Sequence, residues 1–286
     1  MTYFLGNGFE FTGLAEGPPD GPLVLLLHGF PQTSHEWRHQ LPALAGAGYR
    51  AVAFDQRGYS PGARPEGVEH YRMHHLLADV LAVADGSGAE RFDLVGHDWG
   101  GAVAWAVAME QPQRVRTLTA VSMPHPAAFA AALLGGDPEQ EKKSSYIEVL
   151  RAEGVAEAML LAGGGEGLRR VLAATGYPDP PAADPYVRVL SEPGALTAAL
   201  SWYRAITPAD AAGWAAGGHR GRVAVPTLYV WGDGDAALGR KAAESTASWV
   251  DGPYRFEVLE GIGHWIPEEV PETLNRLLLE HLATGS

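Results

Sequence analysis

Leu94-Val95-Gly96-His97-Asp98-Trp99-Gly100-Gly101 joins two runs of different character. Phe92–Val95 is short and apolar, the pattern of a strand buried on both faces. Gly100–Glu110 has the length and apolar content of a helix. The junction reads Gly-x-Asp-x-Gly. Gly96 and Gly100 let the chain turn tightly and hold the central side chain in a strained, exposed position. A strand–turn–helix junction of this kind presents a nucleophile, usually Ser and here Asp98. An Asp that merely caps the helix is the plainer alternative. The surrounding elements and the partners of Asp98 argue for the nucleophile.

Upstream, Tyr3–Leu5 and Phe9–Thr12 flank Gly6-Asn7-Gly8, a hairpin signal. Leu23–Leu27 and Arg50–Phe54 read as strands, and Val115–Val121 as another beyond the junction. Trp37–Ala47 and Met73–Asp85 carry apolar residues at helical spacing. The alternation of strand and helix implies a mostly parallel sheet covered by helices, an α/β fold. It stops at Pro124. From there to about Gly221 no strand is predicted. Glu139–Arg151, Val155–Leu161, Gly167–Ala174 and Leu196–Ala205 read as helices among Gly- and Pro-rich joints. The pattern resumes with strands Val225–Trp231 and Phe256–Leu259 and helices Lys241–Trp249 and Glu272–Leu282. The expected organisation is one core, residues 1–123 and 223–286, interrupted by a helical insertion at 124–222. Its functional reading is a lid; its plain reading is inert decoration.

Two partners follow the nucleophile in the order acid, then His. Asp235 ends Trp231-Gly232-Asp233-Gly234-Asp235, just past a strand. His264 lies in Gly261-Ile262-Gly263-His264-Trp265, between the last strand and the last helix. All three would sit at the carboxyl edge of one sheet, where open α/β folds place ligands. Asp233 is a possible substitute for Asp235, which is preferred because it lies further into the loop. His28-Gly29-Phe30-Pro31 follows the first long strand. Its Phe30 N–H, with the Trp99 N–H, would form an oxyanion hole. The Phe30–Pro31 bond is a candidate for cis, and an ordinary turn is the alternative.

Composition narrows the function classes. The 286 residues include 21 Lys and Arg against 34 Asp and Glu, a net charge of −13. No basic patch is visible that would neutralise phosphates, so a nucleic-acid partner is not expected. The absence of Cys excludes a disulfide scaffold, a thiolate metal site and a Cys nucleophile. Met1–Glu16 lacks the pattern of a secretory signal. No apolar run reaches the roughly 18 residues of a membrane span. A soluble, cytoplasmic protein without metal, cofactor or membrane insertion is expected. A homodimer is compatible with an acidic surface. His70, His74 and His75 lack a matching ligand set and read as a solvated helix start. Glu139-Gln140-Glu141-Lys142-Lys143 reads as an exposed helix face. His97 reads as a packing or hydrogen-bonding neighbour of the nucleophile.

His28-Gly29-Phe30-Pro31, Asp55-Gln56-Arg57-Gly58-Tyr59-Ser60, Gly96-His97-Asp98-Trp99-Gly100-Gly101 and Gly263-His264-Trp265 together resemble the α/β-hydrolase superfamily. Within it the chain is similar to the epoxide hydrolase and haloalkane dehalogenase branch, over nearly its whole length. Asp in place of Ser separates this branch from esterases and lipases. The resemblance implies the α/β-hydrolase fold, with the insertion as a helical cap. It also implies an epoxide hydrolase acting on a small epoxide and water. A carboxylate attacks saturated carbon without prior deprotonation. The resulting alkyl ester of Asp98 would be cleaved by water activated by His264, oriented by Asp235.

Opening an epoxide needs a proton for the departing oxygen, and the branch supplies it from two cap tyrosines. Tyr203 matches in Ser201-Trp202-Tyr203-Arg204, although the branch often has Asn at the first position. Tyr146 rests on a looser match around Tyr146-Ile147-Glu148. Trp37, Phe129 and Trp265 are candidate pocket walls, with core packing as the alternative. The dehalogenase reading stays open because Trp99 fits a halide donor. Against it, Phe30 stands where many haloalkane dehalogenases carry Asn, and Trp99 where fluoroacetate dehalogenases carry Arg. A silent hydrolase-fold protein that only binds a ligand is the third reading, for which an intact catalytic set would be superfluous.

Overall fold

The computed structural model describes residues 1–215 and 221–285. Eight strands, β1 (Thr2–Gly6), β2 (Phe9–Glu16), β3 (Leu23–Leu27), β4 (Arg50–Phe54), β5 (Phe92–His97), β6 (Val115–Val121), β7 (Thr227–Gly232) and β8 (Tyr254–Leu259), form one sheet. Their order is β1-β2-β4-β3-β5-β6-β7-β8. β2 pairs antiparallel with β1 and β4, and every other pair is parallel. The β1–β2 turn places Asn7 at φ 51° and Gly8 at φ 80°. A two-residue hairpin turn requires positive φ at both, which is why Asn-Gly is favoured there.

β3 explains the continuous apolar runs. Leu23, Leu25 and Leu27 join one buried cluster, while Val24 and Leu26 join another on the opposite face. The first cluster is closed by Leu76, Val80, Val103 and Val107 from helices Met73–Gly86 and Trp99–Glu110. The second is closed by Leu41, Leu44, Leu274 and Leu278 from helices Gln40–Gly46 and Pro271–Leu282. A strand covered on both faces gains from apolar residues at every position, so the alternation of a half-exposed strand is lost. Each buried Leu or Val contributes about 1.5–3 kcal/mol relative to exposure, before the entropy of ordering it is set against this.

The helix expected over Trp37–Ala47 divides into a 3-10 turn, Ser34–His39, and a short α-helix, Gln40–Gly46. Trp37 is fully buried in the second cluster with Leu41 and Ile266. It lines neither cavity of the site, so its expected place in a pocket wall is corrected to core packing. A helical stripe shows that a residue is buried but not which face of the sheet it covers.

Among the described residues, β6 and β7 are joined by helices alone. Residues 216–220 of the expected insertion lie outside the described residues. The single helix expected over Glu139–Arg151 is two, Pro138–Ser144 and Tyr146–Arg151. Three further helices, Pro126–Leu134, Asp184–Leu190 and Pro208–Ala215, lie where the sequence reading found only joints. Each has Pro in its first turn, where the missing N–H is not needed. Those prolines read as breaks when they are starts. No described helix is long and apolar enough to cross a membrane.

Candidate active site

The loops after β3, β5, β7 and β8 converge at the carboxyl edge of the sheet. Asp98, directly after β5, has φ 50° and ψ −121°. A non-glycine residue held there costs about 1–3 kcal/mol and persists only where its surroundings over-determine it. The two frame glycines do so by close approach. A Cβ on Gly96 would lie 2.2 Å from the Gly100 carbonyl oxygen, and one on Gly100 would lie 2.1 Å from that of Leu27.

The Phe30 N–H donates to Asp98 Oδ1 at 2.9 Å. His264 Nε2 lies 3.6 Å from Asp98 Oδ2, and His264 Nδ1 lies 2.9 Å from Asp235 Oδ2. Asp235 is buried, and its Oδ1 accepts from the N–H groups of Ala237 at 2.7 Å and Leu238 at 3.0 Å. Asp233 accepts from the Gly261 N–H at 2.7 Å and sits near Arg240, so Asp235 is the carboxylate that faces His264. The Phe30–Pro31 peptide is cis. Trp99 begins the helix after Asp98, and the first N–H groups of a helix have no intrahelical partner. The Phe30 N–H thus lies against the Asp98 carboxyl, and the Trp99 N–H follows Asp98 in the chain without an intrahelical partner.

Burial opposes the charge on both central groups, and their partners outweigh it. Asp98 is held below the usual carboxylate range by the hydrogen bond and charge of His264, with help from His97 and the Phe30 N–H. His264 is raised from 6.5 to about 10 by the charge and hydrogen bond of Asp235 and then of Asp98. At neutral pH the resting site is thus an imidazolium between two carboxylates. A raised folded-state pKa contributes stability that is complete below the unfolded value of 6.5 and is lost as pH rises through about 10. The melting temperature is expected to fall between those pH values, and to fall less in His264→Gln. Equal slopes in thermal melts of the two proteins would refute this.

Tyr203 stands over the nucleophile. Its ring packs edge-on against Phe30 at 5.5 Å and Trp99 at 5.0 Å between centroids. Tyr146, 38% exposed as a residue, turns its hydroxyl inward to that of Tyr203. Burial, reinforced by the Asp98 charge and for Tyr203 by Tyr146, pushes both phenols well above their ordinary value, so both remain proton donors at neutral pH. Asp98, Tyr146 and Tyr203 border two cavities. One, of about 190 Å³, runs between Met73, Phe129, Leu133 and Trp214. The other, of about 330 Å³, runs between Phe30, Met159, Val171 and Trp265. Phe129 lines the first cavity and Trp265 the second. Among the described residues no group of His, Asp and Glu is arranged to hold a metal ion.

Among the residues that support the site, Glu36 and Ser122 were not foreseen, Lys143 was read otherwise, and His97 was read as a packing or hydrogen-bonding neighbour. Glu36 is buried, accepts from the Gly29 N–H at 3.1 Å and lies 3.0 Å from His97 Nδ1. Burial raises its pKa against the pull of His97. His97 Nε2 and the Ser122 hydroxyl both meet the His264 carbonyl oxygen at 2.9 Å, fixing the backbone that carries the base. Lys143, from the segment read as a solvated face, donates to the Asp235 carbonyl at 2.6 Å.

The sequence pattern of the alpha/beta hydrolase fold matches residues 22–271. An AB hydrolase superfamily protein of Bacillus subtilis, YfhM, is 36% identical over 96% of this chain and 95% of its own length. Epoxide hydrolase A of Mycobacterium tuberculosis is 33% identical over 96% of this chain and 95% of its own. A solved epoxide hydrolase from Bacillus megaterium, in complex with a naphthyloxy-propanediol product, superposes with a TM-score of 0.86. It shares 27% identity and covers 99% of this chain and 100% of its own. An Asp at the tight turn after β5, paired with a buried His–Asp couple and faced by two tyrosines, agrees with these likenesses: the chain belongs to the α/β-hydrolase fold family, in its epoxide hydrolase branch.

Proposed function

We propose that the protein converts an epoxide to a vicinal diol through an alkyl ester of Asp98. The carrying observation is Asp98 with His264 Nε2 3.6 Å from its carboxylate and with Tyr146 and Tyr203 lining the same cavities. In the first step an Asp98 oxygen attacks an epoxide carbon. The carbon–oxygen bond breaks, and Tyr203 or Tyr146 gives a proton to the departing oxygen. The resulting phenolate is reprotonated at the expense of the His264 imidazolium, through solvent. His264 is now neutral, and the carboxylate charge that helped to hold its proton is gone. In the second step water attacks the ester carbonyl and gives its proton to His264, while the N–H groups of Phe30 and Trp99 hold the oxyanion. Collapse releases the diol and restores the starting charges. Asp235 orients the imidazole and stabilises its charged form.

The sequence of charges carries a pH prediction. Ester hydrolysis is expected to titrate with an apparent pKa below the resting value of about 10, because the Asp98 charge is absent from the ester. Single-turnover hydrolysis rates across pH check this; a midpoint at or above 10 would contradict it.

The double cavity supports a substrate with an apolar substituent on each side of the epoxide. A buried methylene contributes about 0.8 kcal/mol. Lengthening either substituent by a few carbons is therefore expected to raise kcat/KM by about tenfold over a short terminal epoxide, incomplete burial included.

Tyr203→Phe is expected to slow ring opening, and the Tyr146→Phe/Tyr203→Phe double variant to slow it by roughly 10²–10⁴-fold. Phe keeps the ring packing and removes only the donor. Halide leaves as a stable anion and needs no such proton. Epoxide and haloalkane turnover are therefore measured in the same double variant. Unchanged epoxide opening would make the tyrosines structural. A wild type that consumes haloalkanes and ignores epoxides would establish the dehalogenase reading.

A further inference from the structure

Glu268 lies four residues beyond His264 and has no part in the two steps above. Its side chain is fully buried, and four donors converge on it from three directions. Oε1 accepts from Arg38, from the Tyr177 hydroxyl at 2.6 Å and from the Tyr186 hydroxyl at 2.8 Å. Oε2 accepts from Gln32 Nε2 at 2.5 Å. Gln32 follows the Phe30-Pro31 pair, and its N–H closes that loop on the Gly29 carbonyl at 3.0 Å. Tyr177 and Tyr186 belong to the insertion between β6 and β7. The Glu268 backbone is tied to the base-bearing loop: its N–H and that of Glu269 both donate to the Trp265 carbonyl, at 3.0 and 2.8 Å. Trp265 completes the connection. Its indole N–H donates to the Thr175 carbonyl at 3.0 Å, and its ring packs against Tyr177 at 5.5 Å and His264 at 4.9 Å.

We propose that Glu268 is a positioning residue that clamps the Phe30 loop and the Tyr177–Tyr186 part of the insertion to the segment bearing His264. Arg38 pairs with this carboxylate, and hydrogen bonds to a carboxylate are charge-assisted and stronger than neutral ones. Its core half, through Gln32, sets the Phe30 N–H relative to His264, which matters when the ester is hydrolysed. Its insertion half, through the two phenols, holds down the insertion whose helices Tyr146–Arg151 and Ala195–Ala205 carry Tyr146 and Tyr203, which matters when the ring opens. Misplacing a reacting group by about 1 Å costs up to about 10²-fold.

The inference rests on the two-step reaction, and its test reads the steps separately. Glu268 and Arg38 are left intact, so no buried charge is stranded. In Tyr177→Phe/Tyr186→Phe, single-turnover ester formation from an aryl epoxide is expected to slow by about tenfold with a raised KM, and hydrolysis to change less. In Gln32→Met the order reverses, with hydrolysis slowed by about tenfold and ester formation changed less. Hydrogen–deuterium exchange supplies a readout independent of the chemistry. Residues 172–190 should exchange faster in the tyrosine variant, and the Phe30 loop in Gln32→Met. Both steps falling by one common factor in each variant, or exchange unchanged in both segments, would overturn the clamp. A wild type that never forms an ester would instead overturn the reaction scheme, and exchange alone would then decide on the clamp.

Discussion

Asp98→Ala is expected to fold and to lose turnover by roughly 10⁴-fold or more, the scale of removing a nucleophile that acts with its base as a unit. The side chain is 13% exposed and lines both cavities rather than belonging to either apolar cluster, so its loss opens no core void. It does strand one charge: His264 keeps Asp235 as partner but loses the second carboxylate. The imidazole pKa should therefore fall below about 10 in the variant. Diol formation is measured beside a thermal melt. Full activity in a folded Asp98→Ala protein would end the covalent reading. Asp98→Asn is a weaker test, because deamidation regenerates the nucleophile.

His264→Gln should stop the reaction halfway. Asp98 attacks as a carboxylate and has no proton to give up, so alkylation needs no general base, whereas water does need one. The ester should accumulate to one equivalent per chain, with its hydrolysis slowed by roughly 10²–10⁴-fold. Mass spectrometry of the peptide containing Asp98 is expected to show an increment equal to the mass of the epoxide. Normal turnover, or no increment from an epoxide that wild type consumes, would remove His264 from this role. Gln cannot carry the imidazolium charge, so the resting Asp98 should also titrate higher in this variant than in wild type.

Asp98, Asp235, His264 and Phe30 were legible in the sequence because each follows a strand, where the apolar period breaks and the chemistry-bearing residue stands within two positions of a glycine. The sheet was legible for the same reason: a run such as Leu23–Leu27 has no other economical explanation. What escaped reading depends on contacts between distant segments. Glu36 follows Ser34 and His35, polar residues just before the expected helix at Trp37, with no pattern that marks it as buried. It is buried only because the Ser34–His39 turn folds beneath the Gly29 amide and His97. Glu268, in Pro267-Glu268-Glu269, has a neighbour of the same kind, and only Glu268 meets the tyrosines. No periodicity separates the two. Tyr146 and Tyr203 came from resemblance, not from pattern, and their meeting over Asp98 depends on how the insertion packs.

The insertion occupies a single crossover between two neighbouring parallel strands, with Val121 of β6 in register with Val230 of β7. An ordinary crossover needs about a dozen residues; this one has roughly a hundred. Closure entropy grows by only about 0.6 kcal/mol for each doubling of length, so three doublings cost about 2 kcal/mol. The host sheet is therefore nearly indifferent to what the excursion contains. Asp98, Asp235 and His264 all stand on loops of the host, whereas Tyr146, Met159 and Tyr203 belong to the guest. The proposed nucleophile, base and acid can thus stay fixed while the guest varies, provided it keeps two phenols over Asp98, and with it varies the shape of molecule admitted.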